Sequence, residues 1–236
     1  LLAFSPEERP LALQLGGSDP AELARATAIA APRGFHEINL NVGCPSDRVQ
    51  SGAFGACLMR DPGRVAACVS AMMETAGGTP VTVKCRIGVD EQAPREILPR
   101  FLEAMRGAGV GRVAIHARKA WLQGLSPKEN RDVPPLDHGL VVEMKRAFPD
   151  LEIVANGGLA DLDAALGGVA AGLDGAMIGR AAYHDPVAVL GAADRRVFGR
   201  AGPDRTGEDA VAEMLPSVAA ELAAGERLNR ITRHML

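Results

Sequence analysis

Aromatic residues and cysteines are both scarce in this chain: 3% of its 236 residues are aromatic, and four are cysteine. Cys44, Cys57, Cys68 and Cys85 lack the paired spacing of a zinc site or a small disulfide scaffold, so we expect no metal site. No apolar run approaches the roughly 20 residues that a membrane helix needs, and no signal peptide is recognisable. These absences predict a cytoplasmic protein without a membrane partner.

A strong excess of one charge sign is also missing, because 26 basic residues stand against 29 acidic ones and give a net charge of −3. This balance leaves a nucleic-acid partner open, since a phosphate-binding face needs only local positive charge. The length predicts one large domain, alone or with a small appendage. We expect a monomer.

Short apolar segments alternate with longer helix-like segments, which is the pattern of βα units. The predicted strands span residues 11–15, 37–42, 81–85, 112–116, 152–155 and 175–178. Asp-Pro pairs at 19–20, 61–62 and 185–186 predict helix starts, because the aspartate can cap the helix and proline suits its first turn. The strands are apolar at nearly every position, which predicts burial on both faces and a parallel sheet.

Polar residues at the ends of these strands distinguish two α/β architectures. A barrel gathers its site at the C-terminal ends of all its strands, whereas a doubly wound sheet concentrates ligand groups at one switch point. The residues at or just beyond successive strand ends are Gln14, Asn39, Asn41, Lys84, His116, Asn156 and Arg180. Because they are spread over all six strands, we expect a (β/α)8 TIM barrel.

Two glycine-containing loops suggest which strands of the barrel are present. Barrels often hold a phosphate on the loops after strands seven and eight, and residues 156–158 (NGG) and 179–180 (GR) follow the last two predicted strands. We therefore expect strands three to eight at residues 1–186, without the first two strands. Helical spacing of apolar residues predicts a small, incomplete all-helical domain at 187–236. The chain starts with Leu1 and ends within a helical pattern, so we expect a fragment.

Individual side chains at the C-terminal ends of the predicted strands indicate what chemistry the site could perform. Cys44 lies in a Gly-Cys-Pro turn after a strand, where a thiol could be a proton donor, a nucleophile or a small apolar filler. Lys84 and Cys85 are adjacent on a strand, so their side chains point to opposite faces, and we expect Lys84 to face the barrel centre. There Lys84 would contact an anionic ligand or extend to solvent. His116 could be a site residue or a structural one. Basic residues cluster at 118–131 and 227–233, as a phosphate-binding surface or as solvated faces.

Together these motifs resemble the tRNA-dihydrouridine synthases. The resemblance is carried by residues 39–46 (NLNVGCPS), 83–86 (VKCR), 115–118 (IHAR), 156–158 (NGG) and 178–180 (IGR). Residues 118–122 (RKAWL) and 230–236 (RITRHML) resemble the A branch in particular. The match covers essentially the whole chain and keeps the order of the motifs.

The resemblance implies an FMN-dependent barrel and a helical tRNA-binding domain that together reduce uridine to 5,6-dihydrouridine in the tRNA D-loop, at positions 20 and 20a, with NADPH as reductant. It implies that Cys44 is the catalytic proton donor. The implied FMN contacts are Gln14, Lys84, His116, Asn156, Gly157, Gly158, Gly179 and Arg180. The implied tRNA contacts are Asn41, Arg118, Lys128, Arg131, Arg230 and Arg233.

Two other functions remain open. One is an FMN-dependent barrel oxidoreductase that acts on a free pyrimidine or a small enone, and the other is a non-catalytic RNA-binding fragment. The family also has an N-terminal strand whose loop contacts the flavin, and nothing here corresponds to it. We therefore predict that this 236-residue piece binds FMN weakly and is inactive by itself.

Overall fold

The computed structural model describes residues 2–46 and 53–233, which form two compact units. The first unit comprises the chain up to Leu159 together with Asp163–Ile178, and the second comprises Ala160–Leu162 and the chain from Gly179 onward. The boundary predicted at residue 186 thus lies inside the second unit. The role of the second unit in tRNA binding stays a prediction.

In the described residues, six strands form one parallel sheet in sequence order, β1 to β6. Their bounds are Ala12–Leu15, Glu37–Val42, Val81–Arg86, Arg112–His116, Glu152–Asn156 and Gly175–Met177. All six strands predicted from the sequence are confirmed, with ends that differ by one residue at most. A parallel sheet in sequential order, with a helical segment between successive strands, is the arrangement of TIM-barrel units.

Helices follow the strands as the sequence pattern predicts. In the first unit the α-helices are α1 (Pro20–Ala30), α2 (Pro62–Thr75), α3 (Pro94–Gly107) and α4 (His138–Ala147), and α5 (Leu162–Ala170) begins at its border with the second unit. The second unit contains α6 (Arg180–His184), α7 (Pro186–Leu190), α8 (Ala193–Arg196), α9 (Gly207–Ala223) and α10 (Leu228–Ile231). Short 3-10 helices span Pro6–Glu8, Ala31–Arg33, Gly55–Arg60 and Glu129–Arg131. Within the described ranges, no helix is long and apolar enough to cross a bilayer.

The three Asp-Pro pairs begin helices as predicted. The carboxylates of Asp19, Asp61 and Asp185 each accept a hydrogen bond of 2.9 Å from a backbone N–H three residues later. The following proline stands in the first turn of α1, α2 and α7, where its missing N–H leaves no intrahelical bond unmade. These capped starts fix the residue at which each of the three helices begins.

Both faces of the sheet are largely buried along β2, β3 and β4, as predicted, but the two faces differ in polarity. Along β2, Ile38, Leu40 and Val42 are fully buried in the apolar core that includes residues of the helices. The alternate residues, such as Asn39, carry polar side chains to the opposite face, because successive strand residues point to opposite sides. That face tolerates polar groups because they hydrogen-bond one another across strands.

Register aligns the polar ends of the strands. Asn41 on β2 pairs with Lys84 on β3, and Arg86 pairs with His116 on β4. His116 is in turn in register with Asn156 on β5. Paired residues of a parallel sheet point to the same side, so these five side chains share the polar face near its C-terminal edge.

Candidate active site at the C-terminal edge of the sheet

Cys44 lies in a turn that directly follows β2 and is held by one side chain. The Oδ1 atom of Asn41 accepts hydrogen bonds of 3.0 Å from the backbone N–H groups of both Gly43 and Cys44. The Cys44 carbonyl accepts a 2.9 Å bond from the N–H of Ala56, and its Sγ lies 3.4 Å from Oγ of Ser46. Cys44 is half-buried, unlike the fully buried Cys68 and Cys85, so it is not a core filler.

A relay of side-chain hydrogen bonds runs from this turn across β1, β2 and β3. Nδ2 of Asn41 donates to Oε1 of Gln14 over 3.1 Å, and Nε2 of Gln14 donates to Oδ1 of Asn39 over 2.8 Å. Asn39 donates to Oγ1 of Thr82 over 2.8 Å, and Thr82 donates to Glu37 over 2.6 Å. Each amide is therefore oriented by its neighbours. Gln14, which the resemblance assigns to FMN, also supports Asn41 and through it the Cys44 turn.

An ion-pair cluster anchors the far end of the relay. Arg112 donates from Nη1 to Glu37 over 2.8 Å and from Nε to Glu152 over 2.6 Å. The hydrogen bond to Glu152 is the main cause that raises the pKa of Arg112. These three residues begin β4, β2 and β5, so they lie at the opposite edge from Cys44 and fix the relative positions of the strands.

Lys84 and Cys85 point to opposite faces, as the strand period predicted. Cys85 is completely buried, and burial raises the pKa of its thiol to about 12. Lys84 lies on the polar face, where burial, and then the neighbouring Arg86, lowers the pKa of its ammonium to about 8. At neutral pH Lys84 is therefore a desolvated cation, and such a charge favours an anionic ligand.

Arg86 is a site residue that the sequence analysis did not single out. Only 3% of it is exposed, and burial lowers the pKa of its guanidinium to about 10. Its Nε donates to the Gly43 carbonyl over 3.1 Å, and its Nη1 donates to the carbonyls of Asn130 (2.9 Å) and Lys119 (3.3 Å). Arg86 thus joins the Cys44 turn to the loop after β4. Its position two residues after Lys84, on the same side of β3, was the available sequence signal.

The loop between β4 and α4 is ordered around a second residue that sequence reasoning missed. Asn130 is fully buried; its Oδ1 accepts from the N–H of Trp121 over 2.7 Å, and its Nδ2 donates to the Trp121 carbonyl over 2.8 Å. Lys128 and Arg131 flank it and are exposed. Arg118 is half-buried and donates to the Pro134 carbonyl, so its guanidinium also holds the loop. No residue type or spacing in the sequence indicates this clamp, because it depends on contacts within the folded loop.

His116 packs against the glycine loop after β5. Only 7% of His116 is exposed, and a β-carbon placed on Gly157 would lie 2.6 Å from Nε2 of its imidazole. The Gly157 carbonyl lies 2.9 Å from Nε2 of His138, within hydrogen-bonding distance. Gly157 and Gly158 have φ angles of +97° and +68°, which favour glycine. The imidazole and the glycine backbone therefore form one tightly packed cradle.

The other predicted contacts divide between the two units. Asn156 belongs to the first unit, and its side chain donates to the Met177 carbonyl over 2.7 Å, which joins β5 to β6. Gly179, Arg180, Arg230 and Arg233 belong to the second unit. Gly179 is the residue before α6, and Arg230 forms a solvent-exposed ion pair of 3.7 Å with Glu226. Hence the first unit carries Gln14, Lys84, His116 and residues 156–158, whereas the second unit carries Gly179 and Arg180.

The architecture and the polar strand ends define an α/β protein of the TIM-barrel type with its candidate site at the C-terminal edge of the sheet. A crystal structure of DHODH from Eimeria tenella shares this fold, with a TM-score of 0.56 at 11% identity over 81% of this chain and 60% of that one. At that identity the likeness shows the fold alone.

Sequence comparison identifies the family. The family model described as dihydrouridine synthase (Dus) matches residues 1–236, and the chain belongs to that family. Proteins called tRNA-dihydrouridine(20/20a) synthase from Shewanella oneidensis and from Escherichia coli K12 are each 52% identical over all of this chain. One from Synechocystis is 50% identical. The chain spans 69%, 68% and 70% of the lengths of these relatives.

Proposed function

We propose that this chain forms part of a flavin-dependent oxidoreductase that reduces uridine in tRNA to 5,6-dihydrouridine, at positions 20 and 20a, with NADPH as the source of electrons. The observation that carries the proposal is the placement of Cys44: a half-buried thiol in a rigid turn at the same sheet edge as the desolvated cation Lys84. Relatives at about 52% identity over the whole chain, named for this reaction, support it.

Cys44 is the proton donor in this proposal. Saturating the C5=C6 bond of uridine requires a hydride at one carbon and a proton at the other, and a thiol can act as the general acid. The two hydrogen bonds from the turn to Asn41 fix the backbone that carries Sγ, so the acid is positioned before substrate arrives. Ser46, whose Oγ lies 3.4 Å from Sγ, can orient the thiol by a hydrogen bond, and the thiolate left after the transfer takes its proton back from water.

The residues of the first unit fit FMN, which when bound supplies the hydride. Burial, and then the positive charge of Arg86, lowers the pKa of Lys84, so an anionic ring edge would relieve the cost of burying its ammonium. The positive-φ glycines at 157 and 158 lie beside His116 at the end of β5, where backbone N–H groups of such a loop would bind an anionic part of the ligand. The remaining proposed flavin contacts are Gln14, Asn156, Gly179 and Arg180.

Exposed basic residues would hold the RNA. Lys128 and Arg131 are exposed at the two ends of the 3-10 helix Glu129–Arg131, within the loop that Arg86 connects to the Cys44 turn. Their charges can bind phosphates while the target base leaves its stack, a step that consumes a few kcal/mol. The other proposed tRNA contacts are Asn41, Arg118, Arg230 and Arg233.

Replacing the thiol tests the proposal. Cys44→Ala should abolish dihydrouridine formation in the full-length, flavin-loaded protein while tRNA binding, measured by gel shift, stays within about twofold. Cys57→Ala is the matched control, because Cys57 is also half-buried but donates to the Phe54 carbonyl. Unchanged product in Cys44→Ala would refute the role of the thiol. Reduction of free uracil in preference to tRNA would instead favour a small-molecule oxidoreductase, and tRNA binding without any product would favour an RNA-binding role alone.

The prediction that this chain by itself binds FMN weakly and is inactive has a separate test. The purified 236-residue chain should show less than stoichiometric flavin absorbance and no dihydrouridine product. A stoichiometric flavin spectrum together with normal turnover would contradict that prediction while leaving the proposed reaction intact.

A further inference from the structure

A cavity of largely apolar character lies among the loops that follow β3 and β4. It measures about 310 Å³, in the lowest part of the range of small-ligand pockets, which suits one ring better than a folded ligand. Its walls come from the loops that follow β3 and β4 and are mostly apolar. They include Ile87, Pro94, Lys119, Trp121, Pro134 and Pro135.

The cavity combines an aromatic platform with a cation. The Lys119 ammonium lies 5.0 Å from the centroid of the Trp121 ring, a cation–π distance. This contact orients the indole and places a positive charge at the cavity wall. Asp137 also lines the cavity and accepts from the Leu140 N–H with one carboxylate oxygen, which leaves acceptor capacity for a ligand N–H.

The walls are preformed by bonds between the two loops. Val89 and Ala120 form a parallel bridge. The backbone N–H of Asp90 donates to the Ala120 carbonyl over 2.8 Å, and the backbone N–H of Ala120 donates to the Gly88 carbonyl over 3.0 Å. The backbone of Trp121 is held on both sides by Asn130. Because these bonds involve backbone groups at position 121, the indole can be replaced without releasing the loop.

One guanidinium connects this cavity to the reactive thiol. Arg86 donates to the carbonyl of Lys119, which lines the cavity, and to the carbonyl of Gly43, the residue before Cys44. Arg86 thus hydrogen-bonds both to the Cys44 turn and to a residue of the cavity wall.

We propose that this cavity, the Trp121 pocket, binds the base of a second nucleotide of the tRNA, next to the one that is reduced, with Lys119 facing its phosphate. The inference rests on the proposed function and names a further part of the same substrate site. Aromatic rings bind bases of any sequence by stacking, and a neighbouring cation adds attraction for the backbone. Exposed Lys128 and Arg131, on the same loop, extend the positive charge along a polynucleotide.

Steady-state kinetics of the full-length, flavin-loaded enzyme test the Trp121 pocket. Trp121→Ala should raise the KM for unmodified tRNA about tenfold, within the range of base–aromatic stacking, with kcat changed less than twofold. Trp121→Phe should recover most of the affinity, and Lys119→Met should raise KM and weaken its salt dependence. Ile29→Ala is the matched control, because Ile29 is an exposed apolar residue on α1 outside both sites. An unchanged KM in Trp121→Ala would overturn the inference.

NADPH also carries bases and phosphates, so the experiment must separate it from tRNA. The KM for NADPH should stay constant in Trp121→Ala, measured by flavin reduction without tRNA; a rise in that constant instead of the tRNA constant would assign the pocket to the reductant and contradict our assignment. Trp121 is the only tryptophan of the chain, so its fluorescence reports the pocket directly in the wild type. Unmodified tRNA should quench it, and NADP+ alone should not.

Fluorescence keeps the inference testable if a variant fails to fold, because the wild-type signal needs no substitution. Absence of quenching by a tRNA that binds in a gel shift would overturn the pocket assignment. The two proposals can fail separately. If the full-length, flavin-loaded wild type forms no dihydrouridine in tRNA, the proposed function fails. If it forms dihydrouridine while Trp121→Ala keeps its KM, only the Trp121 pocket fails.

Discussion

The imidazole of His116 lies directly against the backbone of Gly157, so the position of each residue depends on the other. The φ angle of Gly157 is +97°, and a β-carbon there would lie 2.6 Å from Nε2 of His116. His116 is in register with Asn156, the preceding residue, so the strand pairing itself brings the ring over the loop. A change at Gly157 must therefore displace His116, the loop or both.

Gly157→Ala should destabilise the first unit and weaken FMN binding. The alanine would incur roughly 1–2 kcal/mol for a left-handed backbone and roughly 1–3 kcal/mol more for displacing His116. The measurement is urea unfolding followed by fluorescence of Trp121, which belongs to this unit. Flavin affinity would be measured in parallel by fluorescence titration with FMN.

Gly78→Ala is the matched control for this substitution. Gly78 has a similar φ angle of +88°, but nothing lies within 4 Å of a β-carbon placed there. It should incur the backbone part of the destabilisation alone and leave FMN binding unchanged. Equal losses of stability in the two variants would show that the contact with His116 contributes nothing.

The sequence predicted the sheet and much of its polar edge because both depend on short-range patterns. Apolar strands and Asp-Pro starts are local signals, and the period of two placed Lys84 and Cys85 on opposite faces correctly. Asn130 and Arg86 were missed for a physical reason. Arg86 binds backbone carbonyls that are distant in sequence, and Asn130 binds backbone groups that only the folded loop brings to it, so neither residue's type nor its spacing reveals those partners. Gln14 was placed at the edge, but its role in orienting Asn41 follows only from the folded relay.

Arg86→Lys should loosen two segments that are far apart in sequence. The lysine keeps the positive charge but cannot donate at once to the carbonyls of Gly43 and Asn130, which Nε and Nη1 of the guanidinium reach separately. We expect faster amide hydrogen exchange at the Cys44 turn and in the loop around Asn130, measured by mass spectrometry. Dihydrouridine formation should fall in kcat, because Arg86 positions the thiol through the turn.

The control for this prediction is Arg106→Lys. Arg106 lies on α3 and donates to Glu103 at the surface, where such pairs contribute little. It should leave exchange in both segments unchanged. If Arg86→Lys accelerated exchange in only one of the two segments, the guanidinium would not be the connection between them.

The buried ammonium of Lys84 makes stability depend on pH in a defined direction. Its pKa is lowered to about 8 in the folded protein from 10.5, chiefly by burial, so between these values the unfolded state binds more protons. The destabilisation due to Lys84 is therefore complete below pH 8 and disappears as pH rises toward 10.5. Relative to Lys84→Met, the wild type should gain unfolding free energy across this window.

Urea unfolding of both proteins at pH 7.5, 8.5 and 9.5, values chosen around the lowered pKa of about 8, would measure this difference. Using the difference between the two proteins removes the titration of groups that both share. A constant difference over this range would mean that Lys84 keeps its ordinary pKa in the folded state. A difference that moved in the opposite direction would require a buried anion beside it.

Thr27 on α1 and Thr75 on α2 should respond in opposite ways to the same substitution. Thr27 is fully buried, and its hydroxyl has no hydrogen-bond partner among the described residues, whereas the Thr75 hydroxyl donates to the Ala24 carbonyl of α1 over 2.9 Å. Valine has nearly the same shape as threonine without the hydroxyl. Thr27→Val should raise the unfolding free energy by about 1 kcal/mol, because it removes an unsatisfied polar group, and Thr75→Val should lower it by about 1 kcal/mol. Urea unfolding measures both changes, and a loss of stability in Thr27→Val would mean that its hydroxyl is bonded in solution.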